Sequence, residues 1–270
     1  MMFRVLESGE FRDFQPGDLT PDDRGVLLGD GVFETFRVSE AGIRRSDDHC
    51  ARLVQACRAL DLPMPDWDQI DREATRLSAR VQNTGRLTIM RGPGPRGLGA
   101  INTPNPRIWL SLSEWVSPPL SLRLHTSRLR RSRHSLTSQH KTLSYADNAA
   151  ARRVAEKSGF DMALLLTDEG HVSGADCANI FAIRGDQLLT PSKACAIRPG
   201  VTRKAVIELA PQLGLSIEEG VFYPDRFFQS EALAVTNSAM GIVPISQIDD
   251  QVFDANHRVL MALRGAEARQ

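Results

Sequence analysis

The stretch SQHKTLSYADNAAARR, residues 138–153, carries Lys141, the side chain in this sequence best suited to covalent chemistry. Most lysines are solvated surface charges, so context must single one out. Lys141 directly precedes a small-residue segment in which Leu143, Ala146, Ala150 and Val154 recur at three-to-four spacing, the period of a helix stripe. A rigid element after a lysine can fix its amine, and desolvation there would lower the amine's pKa toward the range needed for imine exchange. Ser138-Gln139-His140-Lys141 also satisfies S-x-x-K, a serine-nucleophile motif. That chemistry needs an S-D-N-like element well downstream and a K-T-G strand. Here Tyr145-Ala146-Asp147-Asn148 follows after a few residues and K-T-G is absent, so the serine reading is set aside.

Six motifs then appear in a fixed order: DRGVLLGDGVFETFRV from Asp23, HCARL from His49, HKTLSYADN from His140, DEGHVSGADCANIF from Asp168, RPGVTR from Arg198 and TNSAMGIVPI from Thr236. Singly each is weak; together, over about Asp23–Ile248, they resemble the fold-type-IV pyridoxal-phosphate enzymes. These comprise branched-chain and D-amino-acid aminotransferases and aminodeoxychorismate lyases. The resemblance implies an α+β chain of two domains with pyridoxal 5'-phosphate (PLP) at their interface, held by Lys141 as a Schiff base. It implies that Arg52 grips the phosphate, a role that suits a guanidinium fork. Gly200-Val201-Thr202 precedes a predicted helix, so amides at that N-terminus, with the Thr202 hydroxyl, can hold phosphate oxygens. Thr236, Asn237 and Ser238 complete the implied cup, Asn179 supports it, and Tyr145 stands against the cofactor's phenolic oxygen.

One position departs from the pattern. Five residues before the asparagine, most members carry a glutamate that pairs with the pyridine nitrogen; this chain has Gly174. Without an acid there the ring becomes a weaker electron sink, unless Asp176 or a water substitutes. Elimination tolerates a weak sink better than transamination, whose intermediate must survive to be reprotonated. Together with Thr35 in FETFRV and the run RLTIMRGPGPRGL, this favours the lyase that makes 4-aminobenzoate and pyruvate from 4-amino-4-deoxychorismate, with class IV transamination as the alternative. Lys141 would act as general base, Thr35 or Lys141 as proton donor, and Arg96, on a Gly- and Pro-rich turn, as ligand for a substrate carboxylate.

These side chains must be positioned by ordinary soluble elements. Residues 85–91, 107–112 and 121–125 alternate as strands do, and helices are expected near 47–60, with Leu53, Cys57 and Leu60 on one stripe, 144–157 and 202–213. Ser117-Pro118-Pro119 resists both helix and central strand, which places a linker over 117–121 between an N-terminal domain (1–116) and a C-terminal domain (122–270) that carries Lys141. The polar end from Arg264 is expected to fray. With 270 residues, 41% of them apolar, and 33 basic against 33 acidic side chains, the chain can bury a core and has no bulk field for nucleic acid or an anionic membrane. Arg128, Arg130, Arg131 and Arg133 form the one dense basic cluster. They lack interleaved aromatics, so a solvated loop or a carboxylate-binding wall is expected rather than a nucleic-acid site. The four cysteines show no C-x-x-C pair, the histidines show no usual zinc spacing, and no run approaches the roughly 18 apolar residues of a membrane span. The expected setting is the cytoplasm, the expected partner a small amine, and the assembly implied by the resemblance a homodimer.

Overall fold

The β-branched and aromatic residues of GVFETFRVS make Gly31–Ser39 a strand, and the first half of the chain is organised around it. The computed structural model describes residues 1–79, 81–99 and 105–269. In chain order the first unit contains β1 (Met2–Glu7), β2 (Glu10–Asp13), α1 (Arg24–Leu28), β3 (Gly31–Ser39), β4 (Gly42–Ile43), α2 (Ser46–Ala59), α3 (Trp67–Leu77), β5 (Asn83–Met90) and β6 (Arg107–Glu114). Its six strands pair antiparallel in the order β2-β1-β6-β5-β3-β4. One face, with Val32, Phe36, Leu87, Ile89 and Leu110, is buried against Leu53 and Cys57 of α2 and Ile70 and Ala74 of α3. The other face carries Phe33, Thr35 and Arg86, since residues paired across adjacent strands share a face.

The unit comprises Met1–Val116 together with His140–Ser144. Lys141 therefore belongs with the first unit and not with the later domain in which the sequence places it. The reason is backbone pairing: Phe33 N–H donates to the Lys141 carbonyl at 2.9 Å and Leu143 N–H donates to the Gly31 carbonyl at 2.9 Å. Gly31 permits this close approach, because a Cβ there would overlap the Ile89 carbonyl oxygen and crowd Leu143.

The second unit, Ser117–Gln139 and Tyr145–Gln270, contains β7 (Leu122–Arg131), α4 (Leu136–Gln139), α5 (Ala146–Lys157), β8 (Met162–Thr167), β9 (Val172–Ala175), β10 (Asn179–Arg184), β11 (Gln187–Pro191), α6 (Val201–Leu209), β12 (Ser216–Gly220), α7 (Pro224–Phe228), β13 (Ala232–Asn237), β14 (Gly241–Ile248), β15 (Gln251–Val252) and α8 (Arg258–Ala268). Its sheet runs β12-β11-β10-β13-β14-β7-β8-β9, with β15 on β14. Phe181, Ile183 and Ala234 on one face pack against Val206 of α6 and Leu260 and Leu263 of α8, while Leu124, Leu164, Val235 and Ile245 build the opposite core.

Three expectations are corrected here. The buried stripe of α5 is Ala151 and Ala155, packed on Ala163 and Leu165; Val154 is exposed. Alanine satisfies any stripe equally well, so spacing could not orient this helix. The basic cluster is solvated only in part: Arg128, Arg130 and Arg133 are exposed, but β7 runs to Arg131, whose side chain is buried. The C-terminal segment is helical through Ala268, with Glu267 buried, while Gln270 lies outside the described residues.

Candidate cofactor site

In the first unit, Glu34 on β3 is almost fully buried and meets two residues of α2. Arg52 Nε donates to Oε1 at 2.8 Å, Arg52 Nη2 donates to Oε2 at 2.6 Å, and His49 Nδ1 lies 3.0 Å from Oε2. His49 and Arg52 reach one carboxylate because residues three apart share a helix face. Burial alone would raise the Glu34 pKa, but the Arg52 charge and the His49 contact outweigh it and hold the carboxyl well below its ordinary range. Burial pushes the His49 imidazole down, with Glu34 opposing it. With Glu34 ionised and acceptor-only, Nδ1 is the protonated nitrogen of a neutral ring. The result is a guanidinium locked in orientation by a bidentate partner.

On the opposite face of β3, Lys141 Nζ sits 3.9 Å from the centroid of the Phe33 ring, and the Arg86 guanidinium carbon is 3.7 Å from the same centroid. Thr35 is the cross-strand partner of Arg86. Arg86 Nε donates to Thr88 Oγ1 at 3.2 Å. An amine and a guanidinium thus lie against one aromatic ring, and the Thr35 side chain shares that face of the sheet. Lys141 is the one half-buried lysine of four; Lys157, Lys193 and Lys204 are all exposed.

In the second unit, Tyr145 begins α5 and its phenol accepts from Arg198, whose guanidinium lies over the ring at 4.7 Å. Asn179 Nδ2 donates to the Arg198 carbonyl at 2.9 Å, which pins the loop leading into α6. Gly200 is the cap residue of α6, and a Cβ on it would strike Asn179 Oδ1. No side chain caps α6, although the first-turn amides of a helix lack intrahelical acceptors. Thr202 is buried in that turn. Thr236, the register partner of Asn179, has a buried Oγ1 with no hydrogen-bond partner among the described residues. Uncapped amides with buried hydroxyls make a donor set that fits a phosphate dianion.

Other expected ligands are placed differently. Asn237 Oδ1 accepts from Ala239 N at 3.1 Å and Met240 N at 2.8 Å, so it shapes the turn carrying Ser238 instead of reaching outward. Arg96, on a Gly- and Pro-rich loop, is exposed and makes no ion pair among the described residues. Asp176 cannot replace the missing acid: Arg152 Nε and Nη2 donate to its carboxylate at 2.8 and 2.6 Å, and Ala163 N–H donates to it at 2.8 Å. Glu34 and Arg86 escaped the sequence reading, although DRGVLLGDGVFETFRV contains the first and the alternating residues 85–91 contain the second.

Comparison with known proteins now decides the family. The pattern described as Amino-transferase class IV matches residues 31–248. The chain belongs to this family. As a class IV enzyme it uses PLP, and its α+β architecture is that of the fold-type-IV enzymes. It is 30% identical over 260 residues to a putative branched-chain-amino-acid aminotransferase of Methanocaldococcus jannaschii, spanning 93% of this chain and 90% of that one. It is 27% identical to an aminodeoxychorismate lyase of Bacillus subtilis, over 91% and 87% of the two chains. Among solved structures, a putative 4-amino-4-deoxychorismate lyase from Legionella pneumophila superposes with a TM-score of 0.86 at 26% identity, over 95% and 96% of the two chains. Among the described residues no helix is long and apolar enough to cross a membrane.

Proposed function

We propose that this class IV enzyme is a lyase that converts 4-amino-4-deoxychorismate to 4-aminobenzoate and pyruvate. When bound, PLP supplies an electron sink for carbanion chemistry at the carbon bearing the substrate amine. Lys141 would anchor the cofactor. Arg52, held by Glu34, together with the Val201 and Thr202 amides and the hydroxyls of Thr202, Thr236 and Ser238, would hold its phosphate. Tyr145 would stand by the phenolic oxygen. Assignment of both sets to one cofactor rests on the family pattern.

The observation that carries the lyase reading is the trio on the outer face of β3. Elimination needs a base at the carbon bearing the amine and an acid for the departing enolpyruvate, whereas transamination returns its proton to the cofactor through one shuttle. Lys141 would take the first proton and the Thr35 hydroxyl would deliver one to the leaving group, so that substrate divides into two products with no water or oxidant consumed. Arg86, the cross-strand partner of Thr35 and stacked on the Phe33 ring, would join Arg96 as a ligand for a substrate carboxylate. The glycine at position 174 supports the same choice, and the likeness to the Methanocaldococcus jannaschii protein favours the aminotransferase alternative. A homodimer, on the family pattern, completes the proposal; light scattering checks it.

The deciding assay gives the holoenzyme 4-amino-4-deoxychorismate and, separately, D-alanine or L-leucine. We expect 4-aminobenzoate fluorescence to appear much faster than either amino acid converts the cofactor to its pyridoxamine form. Fast half-transamination without 4-aminobenzoate makes the chain an aminotransferase instead.

A further inference from the structure

Arg131 ends β7 and is only 9% exposed. Its Nη1 donates to Ser173 Oγ at 3.3 Å and its Nη2 to the Ala175 carbonyl at 3.0 Å, so the guanidinium brackets Gly174 from the residues on either side. A Cβ placed on Gly174 would lie 3.7 Å from Arg131 Nη1 and 2.8 Å from the Ala178 carbonyl oxygen. The backbone therefore excludes a side chain at this position, while the arginine stands beside it. Arg131 has no carboxylate in ion-pair distance among the described residues, because Asp176 is taken by Arg152. Arg198 repels it, and Tyr145, Asp176 and Cys177 oppose that repulsion only through their fields. Burial, then the like charge of Arg198, pushes the Arg131 pKa down to about 9. A buried cation without a counter-ion is costly, and these two hydrogen bonds use only part of the guanidinium's five donors.

We propose that Arg131 stands in for the family's carboxylate, donating a hydrogen bond to the pyridine nitrogen of bound PLP and keeping that nitrogen unprotonated. The inference rests on the cofactor site proposed above. A guanidinium has donors and no acceptor, and a pyridine nitrogen has a single lone pair, so the pair forms with the ring neutral. A carboxylate at this place would do the reverse and hold a proton on the ring. The two arrangements leave the ring nitrogen in opposite protonation states, which makes the difference measurable without turnover. A neutral ring is the weaker electron sink, and it suits a reaction in which the leaving group departs as negative charge develops.

The test loads PLP labelled with nitrogen-15 in the ring into wild type, Arg131→Glu and Arg131→Gln, and reads the ring nitrogen by NMR with cofactor affinity by equilibrium dialysis. Wild type should resonate in the range of an unprotonated, hydrogen-bonded pyridine. Arg131→Glu should move the signal to the pyridinium range. Arg131→Gln, the variant more certain to fold, should shift the signal away from wild type and weaken PLP binding by tenfold or more. A pyridinium signal in wild type, or the same resonance and affinity in wild type and Arg131→Gln, overturns the proposal while leaving the cofactor site standing. Failure of wild type to bind PLP overturns both.

Discussion

At the scale of single residues the most consequential contact is the one that fixes Arg52. Its guanidinium spends two donors on the buried carboxylate of Glu34, so removing it does more than loosen a phosphate. Arg52→Ala leaves Glu34 buried beside His49 alone, a loss of about 3–5 kcal/mol for breaking a buried pair. We expect a fall in the denaturant midpoint of the apoenzyme, which a purely phosphate-binding arginine would not cause. The same cluster sets an acid limit. The folded pKa of Glu34 lies below its ordinary 4.5 and that of His49 below its ordinary 6.5, so in both cases the unfolded chain binds more protons as the pH falls. Their stabilisation is present above those ordinary values and is lost below them, His49 first and then Glu34. Unfolding curves from pH 7 down to pH 4 should show this loss, and replacing His49 with Gln should remove its earlier part. Thr35→Val keeps shape and removes the hydroxyl; 4-aminobenzoate formation should fall by about 10²-fold or more, the scale of a lost proton donor, with PLP affinity unchanged. Equal turnover would remove Thr35 from the chemistry.

At the scale of elements, one glycine contact explains how distant motifs are held, and one buried hydroxyl separates binding from stability. Gly31 lets the segment at Lys141 pair with β3, and Gly31→Ala should cost about 1–3 kcal/mol as the strand and the segment are pushed apart. Borohydride-fixed cofactor should fall with it. Thr236→Val separates structure from function differently. The Thr236 hydroxyl is buried and unpartnered, so the apoenzyme should lose no stability. PLP binding should weaken by about 1.5–3 kcal/mol, the worth of a hydrogen bond to a charged group, as titrated by cofactor fluorescence. Helices and strands with strong apolar periodicity were legible from sequence: α2 buries Leu53 and Cys57, as their spacing requires. The face of α5 was not, because alanines mark no side. Nor was the inward turn of Arg131, since Arg128, Arg130 and Arg133 around it are exposed and one charge in a run looks like another. Its burial depends on Ser173 and Ala175, which only the pairing of β7, β8 and β9 brings to it.

At the scale of the whole molecule, six motifs scattered over the chain divide between two units by backbone pairing and not by sequence order, and Lys141 sits in the unit that precedes it in the chain. This arrangement was hidden because pairing between residues 31–33 and 141–143 leaves no local pattern. The family was legible, because glycines, an arginine and a lysine at fixed order report on backbone approach and anion binding together. Assignment of every ligand was less so: Arg96 was favoured for its turn-rich loop, while Arg86, in a strand, stands beside Lys141's ring partner. The central claim is that Lys141, among four lysines, holds the cofactor. Reduction of the PLP-loaded enzyme with borohydride followed by peptide mass spectrometry tests it most directly. We expect a phosphopyridoxyl mass on the peptide containing Lys141 and its disappearance in Lys141→Ala, with the absorbance near 400 nm lost as well. A label on Lys157, Lys193 or Lys204, or an unchanged yield in Lys141→Ala, would contradict it.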